Sequence, residues 1–202
     1  LFVVDASGSM GNILMTETKG AIISLLLDAY EKRDKVGLVA FRETSAEVLL
    51  PPTNSTELAH KFLEDLPTGG KTPLIHGLVK GYQAIQNHLR KDRTASPLMV
   101  LISDYRPNVS LHDPPHVEYL FDEQTYPRLV KEIYDMADYV AADPKVRYLV
   151  IDVNNVQDHL SHGRSLAVRL GAPYFRVQDL KAGGIIQLVK RVRKSHVPPQ
   201  GS

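Results

Sequence analysis

The stretch Leu1-Phe2-Val3-Val4-Asp5-Ala6-Ser7-Gly8-Ser9-Met10-Gly11 decides the fold. Its apolar opening, residues 1–4, reads as a strand, and its polar second half as the loop on which that strand ends. A helical pattern follows over 12–32, with Ile22, Leu25, Leu26 and Ala29 three and four residues apart on its inner face. The alternation then continues to the end of the chain. Strands are expected over 36–41, 46–50, 98–103, 146–153 and 173–177, and helices over 55–66, 72–90, 127–142, 160–170 and 179–194. Such a pattern predicts an α/β fold: a doubly wound, mainly parallel six-stranded sheet with helices on both faces. Only residues 42–45 separate the second and third strands, too few for a helical crossover, so that pair is expected to be antiparallel. Pro51-Pro52 should stop the third strand, at an edge of the sheet. Thr72-Pro73 should open its helix with a hydroxyl cap and a proline at the first helical position. One domain over 1–194 and a tail over 195–202 are expected. The first strand is shorter than the ~5–6 residues usual for a strand, so further sequence upstream of Leu1 is expected as well.

The opening loop also carries the chemistry. Asp5, Ser7 and Ser9 occur at alternate positions, and in an extended loop residues two apart point the same way. Two hydroxyls and a carboxylate form a partial set of hard oxygen ligands, which suits a magnesium ion. The same residues also suit a plain turn in which Asp5 accepts a backbone N–H. In a doubly wound sheet, ligands gather at the carboxyl ends of strands. Thr72, after the flexible Gly69-Gly70, and Asp104, directly after a strand, are placed to contribute from such ends.

Together, Asp5-Ala6-Ser7-Gly8-Ser9, Gly69-Gly70-Lys71-Thr72-Pro73 and Ile102-Ser103-Asp104 resemble the metal-ion-dependent adhesion site of von Willebrand factor A domains. The resemblance implies that Ser7, Ser9 and Thr72 give hydroxyls to Mg2+, with Mn2+ a possible substitute. Asp5 and Asp104 would act directly or through waters, and an acidic residue of a partner would complete the coordination. Gly8, Met10, Lys71, Tyr105 and Arg106 would form the rim that the partner meets. Many relatives have threonine and glycine around the last aspartate, where this chain has Ser103 and Tyr105; Tyr105-Arg106 would place bulk and positive charge beside the ion, or decorate a surface loop.

Arg33-Asp34-Lys35-Val36, Ala46-Glu47-Val48-Leu49-Leu50-Pro51-Pro52, Pro73-Leu74-Ile75-His76-Gly77-Leu78 and Leu170-Gly171-Ala172-Pro173-Tyr174-Phe175 carry the resemblance further. They are similar to the C-terminal domain of the D subunit of magnesium chelatases and to related cobalt chelatase subunits. This implies a cytoplasmic, non-catalytic interaction module. It would dock on an ATPase-type chelatase subunit and on the catalytic subunit that inserts metal into a tetrapyrrole. Engagement would shift the helix over 179–194. A metal-dependent phosphate-ester hydrolase using Asp5 or Ser9, and an extracellular adhesion domain, are the alternatives.

The composition narrows the field. Basic and acidic residues nearly cancel, 24 against 23, which argues against nucleic-acid or polybasic membrane binding. The Lys190–Lys194 cluster lies where cations face the negative end of a helix dipole. There is no cysteine, hence no thiol chemistry or thiolate zinc site. No apolar run reaches the ~18 residues of a membrane helix. Gly70-Lys71-Thr72 lacks the glycine five positions earlier that a phosphate-binding loop needs, since Asp65 stands there. His112-x-x-x-His116 and His159-x-x-His162 read as surface or polar-core histidines, and His76 as capping or packing beneath the site.

Overall fold

The computed structural model describes residues 1–114, 117, 123, 125–154 and 161–177, with backbone alone at 12–14, 17 and 21. The helix expected over 179–194, the tail over 195–202, the start of the 160–170 helix and residues 116 and 159 lie outside the described residues.

The elements are β1 (Phe2–Asp5), α1 (Gly11–Glu31), β2 (Val36–Arg42), β3 (Ser45–Thr53), α2 (Thr56–Glu64), α3 (Leu74–Lys91), β4 (Leu98–Ser103), α4 (Tyr126–Ala141), β5 (Arg147–Asp152), α5 (Gly163–Arg169) and β6 (Tyr174–Arg176). The six strands form one sheet in the order β3-β2-β1-β4-β5-β6. All neighbours are parallel except β2 and β3. From β1 the chain works outward to β2 and β3, then restarts with β4 on the other side of β1. The order therefore reverses between β1 and β4, and the carboxyl ends of these two strands flank the crevice where such sheets bind ligands.

Alternation along the strands builds two cores. Phe2, Val4, Leu38, Val100 and Ile102 pack with Ile22, Leu25, Leu26 and Ala29 of α1 and with Ala59 and Leu63 of α2. Val3, Phe41, Met99 and Leu101 pack with Leu74, Ile75 and Leu78 of α3, Ile133 of α4 and Leu166 of α5. Both faces are covered, which is why β1 and β4 read as unbroken apolar runs rather than alternating ones.

Two expectations are corrected here. β1 ends at Asp5 rather than Val4, because Asp5 still pairs with Phe41 and the Ala6 N–H still bonds the Phe41 carbonyl at 2.9 Å. β3 does not stop at Pro51-Pro52; it runs through them to Thr53. β3 lies at the sheet edge, where the missing N–H of proline removes no ladder bond, and the pairing register shifts beside them, between Val36 and Leu38. Ser55 caps α2, its hydroxyl accepting the Leu58 N–H at 3.2 Å. No described helix is long and apolar enough to cross a membrane.

Candidate metal centre

Above the β1/β4 crevice the structure brings Asp5, Ser7, Ser9, Thr72 and Asp104 together. The Ser7 and Ser9 hydroxyls lie 2.9 Å apart, Thr72 Oγ1 donates to Ser7 Oγ at 3.0 Å, and Ser9 Oγ and Thr72 Oγ1 are 3.5 Å apart. Three hydroxyl oxygens from two distant segments thus meet at one point. Their convergence differs in origin from the extended loop expected. Ser7 is extended, but Gly8–Met10 form a single 3-10 turn, and it is this turn that swings Ser9 back over Ser7. The Gly8 N–H bonds the Gly70 carbonyl and the Gly69 N–H the Ala6 carbonyl, each at 2.9 Å, so the two loops are laced together by backbone.

Beneath the hydroxyls sit two carboxyls, both nearly free of solvent contact: Asp5 is 0% and Asp104 3% exposed. Asp5 accepts the Ser7 N–H at 2.9 Å and the Ser103 hydroxyl at 2.5 Å. Burial first, and the Asp104 charge second, push the Asp5 carboxyl from 3.8 up to about 7. Burial raises Asp104 too, against the opposing pull of its hydrogen bond with Ser9 and of the Arg106 N–H, 3.2 Å away. Two buried acids held this way want a cation. No three His, Cys, Asp or Glu side chains among the described residues converge to hold a metal by themselves. The donor set is instead hydroxyl-led, hard and only partly anionic, which fits magnesium or manganese and suits neither zinc nor a soft metal.

Thr72 does not cap α3. The N-cap position belongs to Pro73 and makes no side-chain cap bond, because the Thr72 hydroxyl is engaged by Ser7. His76, one turn into that helix, bonds the Ser110 carbonyl through Nε2 at 3.1 Å, so it packs beside the site and contributes no ligand.

Of the five residues expected at the rim, three reach solvent and two do not. Gly8 is exposed, and Lys71 and Arg106 are half-buried. Met10 and Tyr105 are both 0% exposed, so neither side chain can meet a partner. Met10 belongs to the α1-side core. Tyr105 turns inward because its backbone is left-handed, with φ 56°, and its phenol donates to the Leu101 carbonyl at 2.6 Å. Burial holds that phenol well above its usual range. Its ring lies against Gly163, where a Cβ would stand 2.7 Å from Tyr105 Cδ2. That glycine at the start of a helix was the one available sign of an incoming ring.

Three contributors escaped the sequence reading. Ser103, named there only as a departure from many relatives, links Asp5 to the Tyr105 N–H at 2.9 Å. Asn108 accepts the Thr72 N–H at 2.6 Å. Asp152, 2% exposed at the end of β5, accepts hydrogen bonds from Ser161 and Tyr174 at 2.8 Å each and adds a third negative charge facing Asp104.

Comparison with known proteins bears on the family and the fold. The sequence profile of the von Willebrand factor type A domain matches residues 1–106. Uncharacterized protein MJ0910 of Methanocaldococcus jannaschii is 38% identical over 177 residues, covering 87% of this chain and 93% of that protein. The magnesium-chelatase 67 kDa subunit of Chlorobaculum tepidum is 38% identical over 192 residues, covering 93% of this chain; the chain spans 30% of that subunit's length. Among solved structures, the vWF domain of the type V pili tip protein Mfa5 from Porphyromonas gingivalis superposes with a TM-score of 0.72 at 11% identity, covering 100% of this chain and 96% of that one. At that identity the likeness speaks for the fold alone.

Proposed function

Because this chain belongs to the von Willebrand factor type A domain family and is related to magnesium-chelatase subunits, we propose that it is a Mg2+-dependent interaction module of a chelatase-type complex. The observation that carries this reading is the meeting of the Ser7, Ser9 and Thr72 hydroxyls above the buried Asp5 and Asp104. The three hydroxyls would hold the ion, with Asp5 and Asp104 supplying negative charge from below, directly or through water. When bound, the ion supplies an electrophilic position that a carboxylate from outside can fill.

The residues around it do the rest of the work. Ser103 and the Ser7 N–H fix the Asp5 carboxylate so that its charge faces the hydroxyls. Gly8, exposed beside Ser7 and Ser9, leaves room for an incoming side chain. Lys71 and Arg106 add positive charge at the rim, which favours an acidic partner. Mostly neutral hydroxyl ligands leave the ion short of negative charge, so an external carboxylate is attracted rather than excluded. The partners that this reading names are the ATPase-type subunit and the catalytic subunit of the complex, in the cytoplasm. The domain docks and transmits and performs no bond-making step itself.

The test is a binding measurement with and without magnesium. Calorimetric titration of the chain with Mg2+ should show one site, and Ser9→Ala should weaken it at least ten-fold. Ser9 is exposed, so its truncation should leave the fold intact. Association with the other chelatase subunits should require Mg2+ and be lost in EDTA. Equal binding by the wild type and Ser9→Ala, or association that ignores EDTA, overturns the reading.

A further inference from the structure

Thr72 is the one hydroxyl of the centre that comes from outside the Asp5–Ser9 loop, and within its own segment its backbone is held by one bond, from the Leu74 N–H to the Thr72 carbonyl at 3.0 Å. Gly69 and Gly70 precede it with φ of 150° and 76°, and Pro73 follows as an uncapped helix start. The N–H of Thr72 is held by a residue 36 positions later. Asn108 Oδ1 accepts the Thr72 N–H at 2.6 Å, and the Asn108 N–H donates to the Thr72 carbonyl at 3.2 Å. Two opposed bonds between the same two residues define position and orientation, as a strand pairing would, but with a side chain as one partner.

Asn108 can do this because its segment is itself tied down. The Ser110 carbonyl is bonded by His76 of α3, and the Leu111 N–H donates to Glu132 of α4 at 3.0 Å. The Ser110 hydroxyl gathers the N–H groups of His112 and Asp113 at 3.1 and 3.2 Å. The stretch after Asp104 thus acts as a clasp. It starts at a carboxylate of the centre, returns to hold the Thr72 backbone, and is anchored on two helices.

Resting on the metal-binding reading above, we propose that Asn108 is the positioning residue of the centre: through the Thr72 backbone it places the third hydroxyl and so sets cation affinity. Groups that orient ligands without touching the metal are commonly worth 10- to 100-fold in affinity. Asn108 belongs with them.

The probe is Mn2+, followed by electron paramagnetic resonance on the full chain, with Mg2+ competition. Amide hydrogen exchange at Thr72, measured in EDTA, reads the clasp without any metal. Asn108→Ala should weaken Mn2+ binding about 10- to 100-fold and speed exchange at Thr72. Asn108→Asp keeps an acceptor at that place and should restore both. Tyr148→Phe removes a buried donor to the Val140 carbonyl, outside the clasp and the centre, and should leave affinity within about three-fold of wild type. Should Asn108→Ala fail to fold, Asn108→Ser, whose hydroxyl is too short to reach the Thr72 N–H, carries the same comparison.

The proposal is overturned if Asn108→Ala or Asn108→Ser binds Mn2+ within three-fold of wild type while Ser9→Ala does not. It is overturned equally if Asn108→Asp and Tyr148→Phe weaken binding as much as Asn108→Ala does, since that is the mark of a merely structural role. A wild-type chain that binds no Mn2+ at millimolar concentration sinks the metal-centre reading itself, and this proposal with it.

Discussion

Replacing Asp5 by asparagine should make the metal-free protein more stable at alkaline pH, and less able to respond to magnesium. Asp5 has no solvent contact, and its carboxyl titrates near 7 instead of 3.8 because burial and Asp104 oppose its ionisation. Between those two values the native state holds a proton that the unfolded chain has released. Stability contributed by the protonated acid is therefore complete below about pH 4 and is lost as pH rises through about 7. From pH 5 to pH 8 the loss is the stretch from 5 to about 7, or roughly 2–3 kcal/mol at about 1.36 kcal/mol per unit. Asparagine removes that loss. Its Oδ1 can keep the Ser7 N–H, and its amide can donate to Ser103, whose hydroxyl rotates to accept.

The assay is urea unfolding of wild type and Asp5→Asn in EDTA at several pH values. The asparagine variant should gain roughly 2–3 kcal/mol on the wild type between pH 5 and pH 8, which is roughly 4–12 °C in Tm for a domain of this size. Adding Mg2+ at pH 8 should then stabilise the wild type and leave Asp5→Asn unmoved, because cation binding to the wild type replaces the missing counter-charge. Parallel pH profiles, with a difference between the two proteins constant to within about 0.5 kcal/mol, would refute the reasoning. They would mean that Asp5 is ionised as easily in the fold as outside it.

Other outcomes test the frame around the centre. Gly163→Ala would bring a Cβ to 2.7 Å from Tyr105 Cδ2 and 3.0 Å from Asp152 Oδ2, a clash expected to cost about 1–3 kcal/mol in urea unfolding; Ser165→Ala, at an exposed position on the same helix, should change stability by less than about 0.5 kcal/mol. Tyr105→Phe deletes the donor to the Leu101 carbonyl inside the core and should cost about 1–2 kcal/mol, with no effect on cation affinity beyond about three-fold. Gly70→Ala combines a left-handed φ of 76° with a Cβ that would land on the Glu43 carboxyl. Because Glu43 is the far end of a flexible exposed side chain, Glu43→Ala in the same chain should recover the steric part of the loss by unfolding measurements, leaving about 1 kcal/mol of backbone strain.

How much of this was legible follows from which forces act locally. The strand and helix pattern was, because burial on both sides of a sheet imprints apolar runs on β1, β4 and β5 whatever their partners are. The antiparallel β2–β3 pair was, because the residues 42–45 expected between the two strands are too few for a helical crossover; the structure shortens the connection to Glu43-Thr44. The meeting of Asp5, Ser7, Ser9 and Asp104 was, because they stand at or just past the ends of β1 and β4, which the topology brings side by side; Thr72 stands between α2 and α3, and its place beside them was expected from the resemblance. Asn108 was not. Its bond to Thr72 depends on the path of an irregular segment, and nothing in that segment's composition says which amide it will reach. Met10 was misplaced for a different reason: the residue sits beside exposed Ser9, and only the turn at Gly8–Met10 sends it inward.

Tyr105 shows how a local rule can hide a structural role. A bulky residue with φ near 56° is unfavourable, so the ordinary expectation after Asp104 is a chain that continues outward with Tyr105 on the surface. The left-handed step reverses this, and it does so with compensation. The ring fills the space beside Gly163, the phenol satisfies the Leu101 carbonyl, and the Tyr105 carbonyl accepts the His162 N–H at 3.1 Å. With Tyr105 anchored below, its own N–H is held against Ser103 and the next N–H, of Arg106, against Asp104. The strain therefore lies under the carboxylates rather than over them. An aromatic expected as bulk on the rim is a peg driven in from beneath, and it fixes the floor on which the hydroxyls of Ser7, Ser9 and Thr72 stand.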